Sequence, residues 1–172
     1  MIVLNVTDAW QLEFDSGVIM NLDKSEHVKE AAQVISQYAD VLAVRAFPSL
    51  KDKEKDLSEW IITSFVNYAT VPIVNMESAT GHPLQALADA ITIEELKTKS
   101  KPKVVLSWAP HPKALPHAVA NSFIEIMQTI DVDFTITHPE GYELHPDIVK
   151  DTSVVYEQEA ALKDADFVYV KN

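Results

Sequence analysis

Short apolar runs alternate along the chain with longer segments of helical period. Most of these runs lack polar alternation, which is typical of strands buried on both faces of a parallel sheet. The predicted strands are Ile2–Asn5, Val41–Arg45, Val71–Asn75, Lys103–Trp108, Phe134–Thr137, Val154–Tyr156 and Phe167–Lys171. The predicted helices are Glu26–Tyr38, Leu57–Tyr68, Pro83–Lys97, Leu115–Ile130 and Gln158–Asp164. This order predicts an α/β protein with right-handed crossovers between parallel strands.

One helix is predicted from a clear apolar stripe, and one segment predicts a domain boundary. Leu57, Ile61, Phe65 and Tyr68 recur at the helical period, with polar residues between them. The basic, proline-containing segment 98–103, TKSKPK, interrupts an otherwise acidic chain. We therefore expect a first domain over residues 1–97, with the helix from Pro83 as connector, and a second over residues 98–172.

Composition and charge exclude several classes of protein. The 172 residues are 47% hydrophobic and 23% charged, which is ordinary for globular domains, and contain no cysteine. A formal net charge of −12 makes nucleic acid an improbable partner, although local cations can still hold a small anion. No apolar run is long enough for a membrane span, and the N-terminus lacks the basic start of a signal peptide. The expected location is the cytoplasm.

Several common motifs are missing from the sequence. The only glycines, Gly17, Gly81 and Gly141, are too far apart for a dinucleotide fingerprint or a glycine-rich phosphate loop. The histidine spacings match no zinc pattern, and no G-x-S-x-G elbow is present. We therefore expect no metal site.

The polar residues with chemical potential follow the predicted strands. Ligands of open parallel sheets bind beyond the carboxyl ends of the strands. The candidates at this edge are Trp10, Arg45, Glu77, His82, His111, Lys113 and Lys171. Each also has a purely structural interpretation: a packed indole for Trp10, an ion pair for Arg45, and a cap or lysine partner for Glu77. Arg45 is the sole arginine, and hence the best available bidentate clamp for a phosphate.

The segment HPLQALAD, residues 82–89, is the most informative one. Pro83 is favoured at the first helical position and places His82 at the N-cap. His82, Gln85 and Asp89 then share one helix face, while Leu84, Leu87 and Ile91 are expected to pack elsewhere. A histidine and a glutamine at a helix N-terminus can donate hydrogen bonds to a carbonyl oxygen that gains negative charge. A capping histidine with a surface glutamine is the equally probable structural interpretation.

This segment resembles the carbamoyl-phosphate motif His-Pro-x-Gln-x-x-x-Asp of the aspartate/ornithine carbamoyltransferase family. The stretches MESATGHPLQALAD, VLSWAPHPKALPHAVANSF, THPEGYEL and ADFVYVKN are similar to its N-acylornithine branch, especially to the members that act on N-succinyl-L-ornithine. The similarity extends over essentially the whole chain. It implies two doubly wound, Rossmann-like domains, one for carbamoyl phosphate and one for the amino acid, assembled as a homotrimer.

The resemblance also implies a reaction and a role for each candidate residue. Carbamoyl phosphate would transfer its carbamoyl group to the δ-amine of an N-acylated ornithine, giving N-acylcitrulline and phosphate for arginine biosynthesis without a cofactor. His82, Gln85 and Arg45 would contact the carbamoyl phosphate, and Trp10 would reach the phosphate of a neighbouring subunit's ligand. The acylornithine pocket would contain Glu77, His111 and Lys171, with Lys113 a weaker candidate.

Two family motifs are absent from the sequence. The family's Ser-x-Arg-Thr-Arg phosphate loop belongs before the first predicted strand, and its His-Cys-Leu-Pro segment belongs after Lys171. We therefore expect each domain to be incomplete relative to the family. Two further interpretations stay open: a truncated, non-catalytic transcarbamylase remnant, and a flavodoxin-like binding module.

The choice of acyl group depends on a position in the loop after Trp10. The resemblance implies that this position distinguishes succinyl from acetyl enzymes, and the aligned residue here is Ser25. The wider similarity favours N-succinylornithine, and N-acetylornithine is the alternative.

Overall fold

The computed structural model describes residues 11–20, 23–112 and 115–171. The predicted strand Ile2–Asn5 and the candidates Trp10 and Lys113 lie outside the described residues. Contacts divide the chain into two compact units, with the division between Met76 and Glu77.

The first unit consists of small sheets and three helices. Its elements are β1 (Leu12–Glu13), β2 (Glu26–His27), α1 (Val28–Ile35), β3 (Leu42–Arg45), α2 (Lys53–Leu57), α3 (Trp60–Tyr68) and β4 (Ile73–Glu77), whose last residue belongs to the second unit. The short strands β1 and β2 pair in parallel, and β3 pairs with β4. The core contains Leu12, Val28, Ala31, Ala32 and Phe65.

The helix predicted over Glu26–Tyr38 is shorter in the structure, where α1 begins at Val28 and ends at Ile35. His27 is the N-cap of α1, and its ring accepts a hydrogen bond from the Lys29 amide. Glu26 and His27 instead form β2, a strand that the sequence analysis did not predict. His27, which has no predicted chemical role, is thus explained as a helix cap.

The prediction of one helix over Leu57–Tyr68 was wrong. The segment breaks at Glu59, whose φ of 53° is left-handed, and this separates α2 from α3. Helix α2 begins earlier because the Asp52 side chain caps it by accepting a hydrogen bond from the Lys55 amide. Leu57 therefore ends α2 with an exposed side chain and is not part of the stripe that contributes Phe65 to the core.

The second unit contains a four-stranded sheet with helices between its strands. Its elements are α4 (Pro83–Leu96), β5 (Lys103–Trp108), α5 (Ala118–Met127), β6 (Asp133–Thr137), α6 (Pro146–Val149), β7 (Ser153–Val154), α7 (Gln158–Leu162) and β8 (Phe167–Lys171). The strand order is β7-β6-β5-β8, and every pair is parallel. The predicted α/β class with parallel sheets is confirmed.

This strand order creates a point at which the direction of winding reverses. The chain moves outward from β5 through β6 to β7, and then returns to the other side of β5 as β8. In doubly wound sheets the carboxyl ends of the strands on either side of such a reversal form a ligand crevice. Here those ends are Trp108 and Lys171, which are direct partners in the β5–β8 register.

The core of the second unit includes part of α4. Ile93 of α4 is buried with Leu106 of β5 and with Phe123 and Ile124 of α5. Helix α4 packs against α5 and so groups with the second unit. The domain boundary predicted near residue 97 from the basic segment differs from this division by contacts, and it stays a prediction.

The expectation that Leu84, Leu87 and Ile91 pack elsewhere was wrong, because none of the three is buried. Their exposed fractions are 43%, 50% and 50%. Helix α4 uses the small residues Ala86 and Ala90 together with Ile93 toward its unit's core. The three larger side chains lie on other parts of the helix surface and remain largely accessible.

Candidate active site

The loop between β4 and α4 is closed by short hydrogen bonds. The Ser78 amide donates to the Gly81 carbonyl at 2.7 Å, and the Gly81 amide donates to Ser78 Oγ at 3.3 Å. Pro83 occupies the first turn of α4, so His82 is the N-cap, as predicted. The turn thereby fixes the backbone position from which the His82 side chain extends.

Helix α5 holds this loop from the side. The His82 amide donates to Ser122 Oγ at 2.8 Å, and Asn121 Nδ2 donates to the Thr80 carbonyl at 3.0 Å. Both α5 residues are buried. A rigid helix therefore positions the entry to α4 through side chains that lie some forty residues further along the sequence, at separations of 40 and 41.

The His82 side chain does not act as a helix cap. Its ring makes no capping hydrogen bond to α4. Nε2 instead lies 3.6 Å from Glu77 Oε2, and Glu77 is itself buried at the end of β4. His82 Nδ1 is buried and has no hydrogen-bond partner among the described residues. This arrangement disfavours the capping interpretation and leaves a ring nitrogen at the positive end of α4.

Gln85 continues the same face of α4, as the spacing predicted. Its Nε2 donates to Asp89 Oδ1 at 2.9 Å. Burial raises the pKa of Asp89, an effect that the Gln85 hydrogen bond and the nearby charge of His82 partly oppose. This hydrogen bond restrains the Gln85 side chain on the helix face, and the role of Gln85 in binding stays a prediction.

A second group of polar and aromatic residues surrounds the reversal point of the sheet. Burial lowers the pKa of Lys171 at the end of β8. The Trp108 ring lies 5.9 Å from the His138 ring in an edge-to-face arrangement, and His138 is buried. His111 follows β5 in an exposed loop between Pro110 and Pro112. Lys171 therefore lies at the strand end beside the reversal point, where ligand binding is expected for a doubly wound sheet, and its role stays a prediction.

Arg45 lies in the first unit, at the end of β3. It is exposed, and its guanidinium carbon lies 4.5 Å from the centre of the Phe47 ring. The planar guanidinium is the side chain best suited to bidentate recognition of an anion. Its joint action with His82 stays a prediction.

The sequence analysis did not predict a role for Ser122 or Asn121. A pattern of local spacings contains no signal for these residues, because their contacts with the His82 loop arise only from the packing of α5 beside α4. The sequence spacing placed Asp89 on the same helix face as Gln85, but only the structure shows the hydrogen bond between the two side chains. Among the described residues no three histidine or acidic side chains are grouped closely enough to hold a metal.

Comparison with known proteins identifies the family. The family model described as "Aspartate/ornithine carbamoyltransferase, carbamoyl-P binding domain" matches residues 4–95. The chain belongs to the aspartate/ornithine carbamoyltransferase family. The resemblance carried by residues 82–89 is thus confirmed.

The relatives within this family are named for two different acylated ornithines, N-succinylornithine and N-acetylornithine. N-succinylornithine carbamoyltransferase of Bacteroides thetaiotaomicron is 50% identical over all of this chain, which covers 54% of that protein. N-acetylornithine carbamoyltransferase of Xanthomonas campestris pv. campestris is 36% identical over 96% of this chain, which covers 53% of that protein. The chain therefore spans about half the length of these relatives.

Solved carbamoyltransferases share the fold. One match is a mutant N-acetyl-L-ornithine transcarbamylase in which serine replaces a glutamate, complexed with carbamyl phosphate and N-succinyl-L-norvaline. Its TM-score is 0.89 at 36% identity, and the match covers all of this chain and 56% of that one. Acetylornithine transcarbamylase complexed with acetylcitrulline matches with a TM-score of 0.88 and 36% identity over 98% of this chain and 55% of that one.

No helix in the described part of the chain combines the length and the apolar character needed to cross a bilayer.

Proposed function

We propose that this protein transfers the carbamoyl group of carbamoyl phosphate to the δ-amine of N-succinyl-L-ornithine, giving N-succinylcitrulline and phosphate. The observation that carries the proposal is the 50% identity to an N-succinylornithine carbamoyltransferase over the whole chain. The proximity of His82 to Glu77 supports it, since His82 opens the matching motif and Glu77 belongs to the similar stretch that precedes it.

The chemistry is positioning together with stabilisation of developing charge. The lone pair of the δ-amine attacks the carbamoyl carbon, the bond from that carbon to the phosphate oxygen breaks, and phosphate leaves with the electron pair. The amine gives up one proton to solvent or to phosphate. His82 and Arg45 are the proposed donors to the carbamoyl oxygen, which gains negative charge as the carbon becomes tetrahedral.

The acceptor substrate is assigned to residues of the second unit. Lys171 and Glu77 are the proposed contacts for the charged groups of the acylornithine, and His111 and Lys113 are further proposed contacts. The reversal point of the parallel sheet supports this assignment for Lys171. Trp10 is the proposed contact to the ligand of a neighbouring subunit in a homotrimer, and the assembly and the cytoplasmic location stay predictions.

The acyl group is assigned from the wider similarity and not from a single residue. The resemblance aligns the exposed Ser25 with the position that separates succinyl from acetyl enzymes, and serine matches neither type. The 50% identity to an N-succinylornithine carbamoyltransferase favours N-succinylornithine here. N-Acetylornithine is the second candidate, because the solved relatives are acetylornithine enzymes.

Steady-state formation of citrulline derivatives tests the proposal. The purified chain is given carbamoyl phosphate and, in turn, N-succinylornithine, N-acetylornithine or ornithine. We expect the highest kcat/KM with N-succinylornithine. His82→Ala and Arg45→Ala should each lower kcat by about a hundredfold or more, as when an oxyanion donor is lost.

A matched histidine variant controls for nonspecific damage. His145 caps the short helix α6 and is exposed, so His145→Ala should retain the wild-type rate. Wild-type activity in His82→Ala would refute the role of that ring. Product formation with N-acetylornithine alone would select the second candidate. Absence of product with every acceptor would favour the non-catalytic remnant.

A further inference from the structure

Asp89 holds one side of the Gln85 carboxamide. The two residues are four apart on α4, the spacing at which a glutamine and an aspartate on one helix face form a hydrogen bond. A carboxylate oxygen can only accept a hydrogen bond, so the atom of Gln85 that faces Asp89 at 2.9 Å must be its NH2 group. The orientation of this amide is thus fixed by chemistry.

The fixed orientation determines which atom of Gln85 can meet a ligand. The oxygen and nitrogen of a carboxamide lie on different sides of Cδ, so Oε1 is turned away from Asp89. Gln85 is in the first turn of α4, whereas Asp89 lies one turn further along. Oε1 is therefore left to accept a hydrogen bond at the N-terminal end of the helix, where His82 Nε2 lies 3.6 Å from Glu77 Oε2.

Asp89 has two neighbours among the described residues that act on its carboxyl by hydrogen bonding, Gln85 and Tyr169. Its Oδ2 is buried without a hydrogen-bond partner among the described residues, and no described lysine or arginine pairs with it. Burial, followed by the negative charge of Asp89 and a hydrogen bond with it, raises the pKa of Tyr169 on β8 to about 12, so the phenol stays neutral beside this carboxyl. A half-buried carboxyl in such a place lowers stability unless it is hydrogen-bonded. The Tyr169 phenol and the Gln85 amide share this role, and only the Gln85 amide lies on the same helix face as His82.

We propose that Asp89 is a positioning residue, whose carboxylate directs Gln85 so that Oε1 accepts a hydrogen bond from the amino group of carbamoyl phosphate. This rests on the proposed function, because the amino group is the only hydrogen-bond donor of that substrate when its phosphate is ionised. A carboxamide that could rotate freely would present an N–H to this amino group half of the time. Asp89 removes that unproductive orientation and does not itself touch the substrate.

A double-mutant cycle on carbamoyl phosphate tests the role. The variants are Asp89→Ala, Gln85→Ala and the pair together, with the exposed Thr92→Ala on the same helix as control. Asp89→Ala should raise the KM for carbamoyl phosphate at least about twofold, because an amide that flips freely is productive half of the time, with a smaller change in kcat. The KM for the acylornithine should stay constant. The double variant should be no worse than Gln85→Ala, since Asp89 acts through Gln85.

Two additional measurements separate this role from a structural one. The side-chain NH2 signals of Gln85 in a ¹⁵N–¹H spectrum of the ligand-free protein should shift toward those of a free glutamine in Asp89→Ala and stay unchanged in Thr92→Ala. Asp89→Asn keeps the shape and an acceptor oxygen, but it permits both amide orientations. Its KM for carbamoyl phosphate should therefore lie between those of the wild type and Asp89→Ala.

The outcomes distinguish this proposal from the proposed function. If the wild type turns over and the losses of Asp89→Ala and Gln85→Ala add up, Asp89 acts independently of Gln85 and the positioning role is wrong. Unchanged Gln85 signals in Asp89→Ala would also overturn it. If the wild type neither binds carbamoyl phosphate nor forms product, the proposed function is wrong and the positioning role falls with it.

Discussion

At the scale of single residues, the two carboxylates Asp56 and Asp89 show how surroundings set chemical behaviour. Asp56 accepts hydrogen bonds from the amides of Ser49 and Leu50 at 2.8 and 2.9 Å and from Ser49 Oγ at 3.1 Å. These donors lower the pKa of Asp56, led by the Ser49 amide, and they outweigh the opposing effect of burial. For Asp89 the balance is reversed, because burial dominates over its hydrogen bond. In its ionised form, Asp56 thus stabilises the loop that contains Ser49 and Leu50.

Asp56 predicts a pH dependence of stability in the first unit. A carboxyl whose pKa is lower in the folded than in the unfolded chain stabilises the fold above its unfolded pKa, about 4, and loses this contribution as the pH falls through the folded value. The free energy of unfolding in urea should therefore be lower for Asp56→Asn than for the wild type at pH 7, and the difference should shrink below about pH 4. Asp40→Asn, at an exposed position, is the control. A difference that is constant with pH would contradict this account.

At the scale of helices and strands, periodicity located most elements but not their ends. The predicted strand Lys103–Trp108 has the same bounds as β5, and Phe167–Lys171 has those of β8, because continuous apolar runs in parallel sheets are strong signals. The break at Glu59 could not be read from the sequence. It depends on the cap at Asp52 and on the left-handed backbone conformation of Glu59, which is not a glycine and so gives no signal in the sequence. The apolar stripe simply continued through the break.

The end of α6 supports a prediction about backbone strain. Lys150 closes this helix with φ 49° and ψ −125°, a conformation that suits glycine. Lys150→Gly should therefore raise the free energy of unfolding, by about 1 kcal/mol. Lys163 closes α7 with an ordinary φ of −57°, so Lys163→Gly should destabilise the protein instead. Both effects are measured by chemical denaturation. Equal destabilisation by the two variants would show that Lys150 is not strained.

At the scale of the whole molecule, sequence and structure supply different parts of the account. The helical spacing of residues 82–89 was enough to place His82, Gln85 and Asp89 on one face, since i, i+3 and i+4 geometry is local. The hydrogen bond from the His82 amide to Ser122 is not local, and only the packing of α5 beside α4 reveals it. The candidates Arg45 and His82 belong to different compact units. Their action on one ligand is therefore the central claim that remains to be measured.

Calorimetric titration with carbamoyl phosphate tests this claim most directly. We predict saturable binding to the wild-type chain, weakened at least about tenfold by Arg45→Ala and equally by His82→Ala, because each loses a charge-assisted contact to the same ligand. His145→Ala should bind as the wild type does. Full-strength binding in either Arg45→Ala or His82→Ala, or no saturable heat with the wild type, would contradict the account.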